Sequence, residues 1–356
     1  MTARPSNAPA STAPGAHMRA EIAEQPQRWS ELLGGERDAI DTAASVIREQ
    51  RPELLVFVAR GSSDHAAMYG QYLVHNVLGI PAMLATPATV TAFNSTLRYP
   101  KAVAIAVSQS GESPDLLSTV TAISDTGVPV IAITNHAQST LAGLGRVHVP
   151  LSAGPELSVA ATKTYTAELL AIALIVLRAS GLGWNELEQR VESAAQLAQR
   201  AIEASIDGLV RALDGVERVL VAGRGYSMAT AKEGALKLME TNSIAASGWS
   251  AADATHGPLG QVIPGTTVVV LTTGQAGRDS VVDFARAANG LGGQVVEVGS
   301  GSVDEAQARF PLSTTDVAFA PLVEIIPLQR MALELALRRG LDPDSPAGLS
   351  KVTKTT

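Results

Sequence analysis

Three times in this chain a short apolar run ends in a Gly- and Ser-rich loop and reopens as a helical pattern. Leu54 to Val58 leads into Ala59-Arg60-Gly61-Ser62-Ser63, and Ala102 to Val107 into Ser108-Gln109-Ser110-Gly111-Glu112-Ser113. Val219 to Val221 leads into Gly223-Arg224-Gly225-Tyr226-Ser227. Strand–loop–helix openings of this kind build a parallel sheet covered by helices. They also bring hydroxyls and free backbone N–H groups to a helix N-terminus, where the dipole favours an anion. The middle loop, rich in serine and free of basic residues, suits a compact phosphate ester. A single such loop could be a turn and an N-cap and nothing more; three together point to ligand chemistry.

The first half reads as strand 54–58, helix Asp64 to Val77, short strands near 81–84 and 102–107, helix 114–126 and strand 129–133. A short helix, a strand through Val147-His148-Val149 and a long helix over Leu157 to Ala179 follow. Gly181-Leu182-Gly183 breaks the pattern, and Trp184 to Leu213 is charged and amphipathic without a strand. The cycle then restarts: strand 217–222, helix 227–241, strand 266–272, helix 278–291, strand 294–298 and helix Leu322 to Arg339. Two similar α/β units are expected, over 18–182 with an N-terminal helical segment and over 215–340, joined by a helical connection at 183–214. Residues 1–17 read as a disordered tail. By composition 341–356 is a mobile terminus.

Composition narrows the function. A chain of 356 residues accommodates two α/β domains. A net charge of −7 argues against nucleic acid as the main partner. There is no cysteine, so disulfides, thiolate metal sites and Cys-nucleophile mechanisms are excluded. No clustered His/Asp/Glu set and no nucleotide-binding glycine fingerprint occurs, so neither metal nor organic cofactor is expected. The longest uncharged apolar run, Leu169 to Leu177, is about half a membrane span. The first residues lack a signal-peptide core, and a cytoplasmic location is expected.

Gly61-Ser62-Ser63, Ser108 to Ser113, Glu233-Gly-Ala-Leu-Lys-Leu-Met-Glu240, His256-Gly-Pro-Leu259 and Leu349-Ser350-Lys351-Val352-Thr353 occur in that order. From about Met18 onward the chain thereby resembles the double sugar-isomerase (SIS) proteins. Within them it is similar to the isomerase half of glutamine:fructose-6-phosphate amidotransferase and to stand-alone type II glucosamine-6-phosphate deaminases. The resemblance implies two flavodoxin-like SIS subdomains, each a parallel sheet covered by helices on both faces. It implies a homodimer or larger homo-oligomer with shared active sites, acting on a phosphorylated amino sugar without cofactor or metal. Ser63, Ser108, Gln109, Ser110 and Ser113 would hold the sugar phosphate, with backbone near Val159 and with Ser350. Glu240 would shuttle a proton between C1 and C2, with Lys237 close to the reacting carbons. His256 would open the ring across a subunit interface, and Lys351 would contact the open-chain substrate as an active-site tail, 341–356, folds over it.

Elementary chemistry is compatible with those roles. Lys237 and Glu240, three apart on one helix, share a face. Moving a proton between adjacent carbons needs one base that takes and returns it, and a cation where charge develops. The same residues with Glu233 also have the spacing of an ion-pair ladder on an exposed helix. A histidine before Gly-Pro could serve a turn as well as acid–base work, and on composition alone Lys351 reads as a solvated lysine.

The resemblance is incomplete. The amidotransferase's glutaminase domain and its cysteine are missing, so glutamine-dependent amination by this chain alone is excluded. Arg60 stands in place of a cysteine, Ala161 in place of a serine, and Ala347 where an arginine is common. The expected activity is a hexosamine-6-phosphate deaminase/isomerase giving fructose 6-phosphate and ammonia. A galactosamine-6-phosphate deaminase, a fructosamine-6-phosphate deglycase and a non-catalytic sugar-phosphate sensor are the alternatives.

Overall fold

The computed structural model describes residues 13–314 and 316–351; residues 1–12 of the expected disordered tail and 352–356 of the C-terminal tail lie outside the described residues. Runs such as Ala102–Ser108 and Thr266–Leu271 are apolar at nearly every position, which places them in the middle of a parallel sheet with both faces covered. They are the central strands of two sheets, and every residue in both is buried.

The first sheet contains β1 (Leu54–Val58), β2 (Ala82–Leu84), β3 (Ala102–Ser108), β4 (Val130–Thr134) and β5 (Val147–Pro150), all parallel, in the order β2-β1-β3-β4-β5. The second contains β6 (Arg218–Gly223), β7 (Ala245–Ser250), β8 (Thr266–Leu271), β9 (Gln294–Gly299) and β10 (Ala308–Pro311). Its order, β7-β6-β8-β9-β10, repeats the first sheet's pattern strand for strand, again all parallel. The expected α/β duplication is therefore present in the topology. In the first sheet Val58 lies opposite Ala106, so β3 runs two residues further and ends at Ser108. The loops after β1 and β3 thus emerge side by side at the point where the strand order reverses, the usual ligand crevice of such sheets.

One apolar cluster runs through both units. The helix Lys163–Ala179 is buried from Lys163 to Leu177, and the helix Ala320–Arg338 is nearly as enclosed. Tyr69, on the helix Ser62–Leu78 of the first unit, donates its hydroxyl to the carbonyl of Ala318 in the second at 2.9 Å. This shared core carries the helix Ser227–Asn242 of the second unit to the loops of the first sheet.

Several boundaries differ from the sequence reading. The helix expected from Leu157 begins at Lys163, because the backbone before it is held as a loop by the remote Glu21 and by Glu156 at its own start. The helical connection is two helices, Trp184–Glu203 and Asp207–Ala212. The N-terminal segment is also two, Ala16–Gly35 and Arg37–Gln50, and starts two residues before Met18. The edge strands β7 and β10 carry no apolar run to announce them. Among the described residues no helix is long and apolar enough to cross a membrane.

Candidate active site

A cavity of about 360 Å³ opens at the C-terminal ends of β1 and β3. Ser63, Ser108, Gln109, Ser110 and Ser113 line it, together with Val159, Glu240, Ser350 and Lys351. The loop after β3 is pinned by its own side chains: Ser108 Oγ accepts the Gly111 N–H at 3.1 Å and Ser110 Oγ that of Glu112 at 3.3 Å. Glu112 in turn accepts the N–H and hydroxyl of Thr140 at 2.7 and 2.9 Å. Gly111 sits at φ +67°, where a Cβ would lie 2.4 Å from Ser139 Oγ, so this position needs glycine. Ser63 donates its hydroxyl to Glu168 at 2.8 Å. Burial pushes the Glu168 carboxyl well above its ordinary range, against the pull of Ser63 and with repulsion from Glu156 and Glu233.

The opposite wall comes from the helix Ser227–Asn242. Lys237 Nζ lies 2.6 Å from Glu240 Oε2, 3.1 Å from Glu233 Oε1 and 3.3 Å from Ser62 Oγ. Glu233 Oε2 is 2.8 Å from His65 Nδ1. The side chains of Glu233 and Lys237 have 0 % exposure while that of Glu240 keeps 22 %, so this is no solvated ladder. Burial alone would lower the Lys237 ammonium, but Glu233 and Glu240 hold it well above its ordinary value. Burial would likewise raise Glu233, yet Lys237 and His65 keep it low. The result is a fixed cation behind a carboxylate that faces the cavity, an arrangement suited to proton transfer with charge stabilisation.

The tail closes the third side. Lys351 Nζ donates to Glu156 Oε2 at 2.6 Å and to the carbonyl of Ser158 at 2.7 Å. Glu156 is fully enclosed; burial would raise its carboxyl, but Lys351 and the N–H groups of Thr162 and Thr164 hold it low. Val159 lines the cavity while its own N–H is taken by the carbonyl of Asp344 at 3.1 Å. The Asp344 carboxylate accepts the N–H groups of His17 and Met18 at 2.9 and 2.7 Å, capping the helix Ala16–Gly35 from 327 and 326 residues away. Asp342 does the same for Gly15 at 3.2 Å. Residues 341–351 are therefore tied down, contrary to their composition, because two aspartates anchor them in a way no periodicity registers. Glu21 supports the same corner, accepting the N–H groups of Leu157 and Ser158. Burial raises its carboxyl to about 7 despite those donors, with repulsion from Glu156.

His256 stands apart. It is exposed, in the turn between the helix Ala251–Ala254 and the short helix Pro258–Gln261, its N–H bonded to the carbonyl of Asp253 at 3.0 Å, and it does not line this cavity. The third Gly-Ser loop, after β6, borders a space of only about 70 Å³. Tyr226 fills that crevice, edge-on to Tyr69 and Tyr72, and accepts from Asn76 at 3.1 Å. Glu156, Ser62 and Glu168 belong to the cavity's surroundings without having been named as site residues; Ser62 lies in the loop already singled out, whereas Glu168 and Glu156 meet Ser63 and Lys351 only through the fold. Arg60 and Ala161, noted only as departures, also line the cavity.

Comparison with known proteins agrees with this fold. The SIS domain family matches residues 50–178 and 213–337. The glutamine–fructose-6-phosphate aminotransferase [isomerizing] of Methanothermobacter thermautotrophicus is 33% identical over 348 residues, 94% of this chain and 56% of the relative. The chain thus spans little more than half the length of such curated relatives. A Silicibacter pomeroyi protein provisionally named a phosphosugar isomerase is 30% identical, with a TM-score of 0.85 over 92% of this chain and 99% of its own. The glucosamine-6-phosphate deaminase of Thermotoga maritima shares the fold at 20% identity, with a TM-score of 0.78 over 96% and 100% of the two chains. Duplicated sheets, paired loops at one switch point and matches over both halves make one conclusion plain: this chain belongs to the SIS domain family and carries two SIS domains, homologous to part of the aminotransferase.

Proposed function

We propose that the chain is a hexosamine-6-phosphate deaminase/isomerase that converts glucosamine 6-phosphate and water to fructose 6-phosphate and ammonia without glutamine. The observation that carries the reading is the placement of Glu240, backed by buried Lys237, across one cavity from the serine loop. The serines bind the phosphate. Glu240 removes the C2 proton of the open-chain amino aldose and returns it to C1 while a proton passes from the amine to O1, giving a C2 imine with a C1 hydroxyl. Water adds to that carbon and ammonia leaves. Lys237 stabilises charge on O1 as the proton moves, and Lys351, released from Glu156, contacts the chain of the sugar. His256 opens the ring from a second copy, which makes the working unit a homodimer or larger assembly.

The test is an ammonia-release assay on glucosamine 6-phosphate, coupled to fructose 6-phosphate detection, with no glutamine present. Both products in equal amounts are expected. No ammonia from glucosamine or galactosamine 6-phosphate, with fructose 6-phosphate still bound, would replace this reading with a glycated sugar phosphate as substrate or with a sensor.

A further inference from the structure

We propose that Arg60 is a phosphate ligand of this cavity, aimed by the buried carboxylate of Asp115, so that anion recognition here uses a guanidinium as well as the serine loop. The inference rests on the sugar-phosphate reading above. Arg60 directly follows the strand β1 and its neighbour Ala59, and it lines the cavity. Its Nε donates to Asp115 Oδ2 at 2.7 Å, and the Asp115 side chain is only 4 % exposed against 48 % for Arg60. The other Asp115 oxygen accepts the Leu116 N–H at 2.8 Å, so the carboxylate is fixed in its helix. Among the described residues the two terminal nitrogens of Arg60 make no hydrogen bond to protein, although its charge is felt by the Asp64 carboxyl four residues on.

That geometry selects one edge of the guanidinium. Asp115 occupies Nε and leaves the edge between the two terminal nitrogens for a planar, two-point contact with an oxyanion. Asp115 stands two residues beyond Ser113, so Arg60 is held against the serine loop rather than the Glu240 wall. Of the lysines near the cavity, Lys237 is paired with two carboxylates, and Lys351, which rests on Glu156 and the Ser158 carbonyl, is assigned above to the sugar chain rather than the phosphate. Without Arg60 the serine loop would meet a phosphate dianion with hydroxyls and N–H groups alone.

The experiment is calorimetric titration of the full chain with inorganic phosphate and with fructose 6-phosphate. Arg60→Gln combined with Asp115→Asn keeps size and removes both charges, so no buried carboxylate is stranded; Arg60→Lys keeps the charge and loses the fork. Both variants are expected to bind both ligands about 10-fold to 100-fold more weakly, and to raise KM with kcat changed only a few-fold. Asp115→Asn alone, with Arg60 untethered, should lose part of that affinity, and the loss should again fall on KM. Binding within twofold of the wild type in the double variant overturns the role of Arg60 and leaves the sugar-phosphate reading standing. With a fructosamine 6-phosphate bearing an amino-acid carboxylate titrated as a third ligand, a loss confined to it also overturns the role, because Arg60 would then be reading the second anion. Wild-type protein that binds neither ligand overturns both.

Discussion

Glu324→Gln should turn a pH-dependent protein into a less pH-dependent one. Glu324 lies on the helix Ala320–Arg338 with 0 % exposure and accepts the Ser227 hydroxyl at 2.9 Å. Burial raises its carboxyl from the ordinary 4.5 to about 7, against the pull of the Ser227 hydroxyl. The folded state therefore keeps a proton that the unfolded chain has released. Stability from the neutral acid is fully present below about 4.5, falls as pH rises through the window to about 7, and is flat above it. The gap of about 2.5 pH units, at about 1.36 kcal/mol each, is roughly 3 kcal/mol. Glutamine keeps an acceptor for Ser227 and offers an N–H where the acid has its O–H. Urea unfolding of both proteins from pH 4.5 to 8.5 gives the comparison. The difference between them should move in favour of Gln by roughly 3 kcal/mol across the window, because slopes from Glu21 and Glu168 are common to both. Parallel stability curves would refute the claim that Glu324 is held neutral by burial.

Other changes test the frame of the site. Gly111→Ala places a Cβ 2.4 Å from Ser139 Oγ at φ +67°; it should cost about 1–3 kcal/mol in denaturant midpoint experiments and weaken phosphate binding with it. Asp344→Ala removes the cap of the helix Ala16–Gly35 and the anchor of the tail. It should cost about 0.5–2 kcal/mol, expose Lys351 to trypsin and lower kcat/KM, whereas a variant cut no faster than wild type would show that the tail is held without the Asp344 carboxylate.

Much of this was legible because the relevant forces are local. Apolar runs such as Ala102 to Val107 and the glycine after each gave the strands and their loops, and the chain order of two such sets gave the duplication. Glu240 was legible from its three-residue spacing to Lys237 and the resemblance of their stretch to a known family. What the chain hid was tertiary. Burial of Glu233 and Lys237 comes from packing of two units around a shared core, and the ladder pattern alone is neutral on it. The capping of His17 and Met18 by Asp344 joins opposite ends of the chain, and the loop before Lys163 is held in part by Glu21, 136 residues away from Leu157. β7, reading Ala-Ala-Ser-Gly-Trp-Ser, is a strand because β6 offers it an edge.

The most direct test of the central claim is the turnover of Glu240→Gln on glucosamine 6-phosphate, with fructose 6-phosphate affinity measured on the same preparation. Glutamine retains the shape and a partner for Lys237 but cannot take a proton from C2. Turnover should fall by about 10²–10⁴-fold while affinity stays within a few-fold of the wild type. Near-normal turnover in that variant would contradict the account and remove Glu240 as the base.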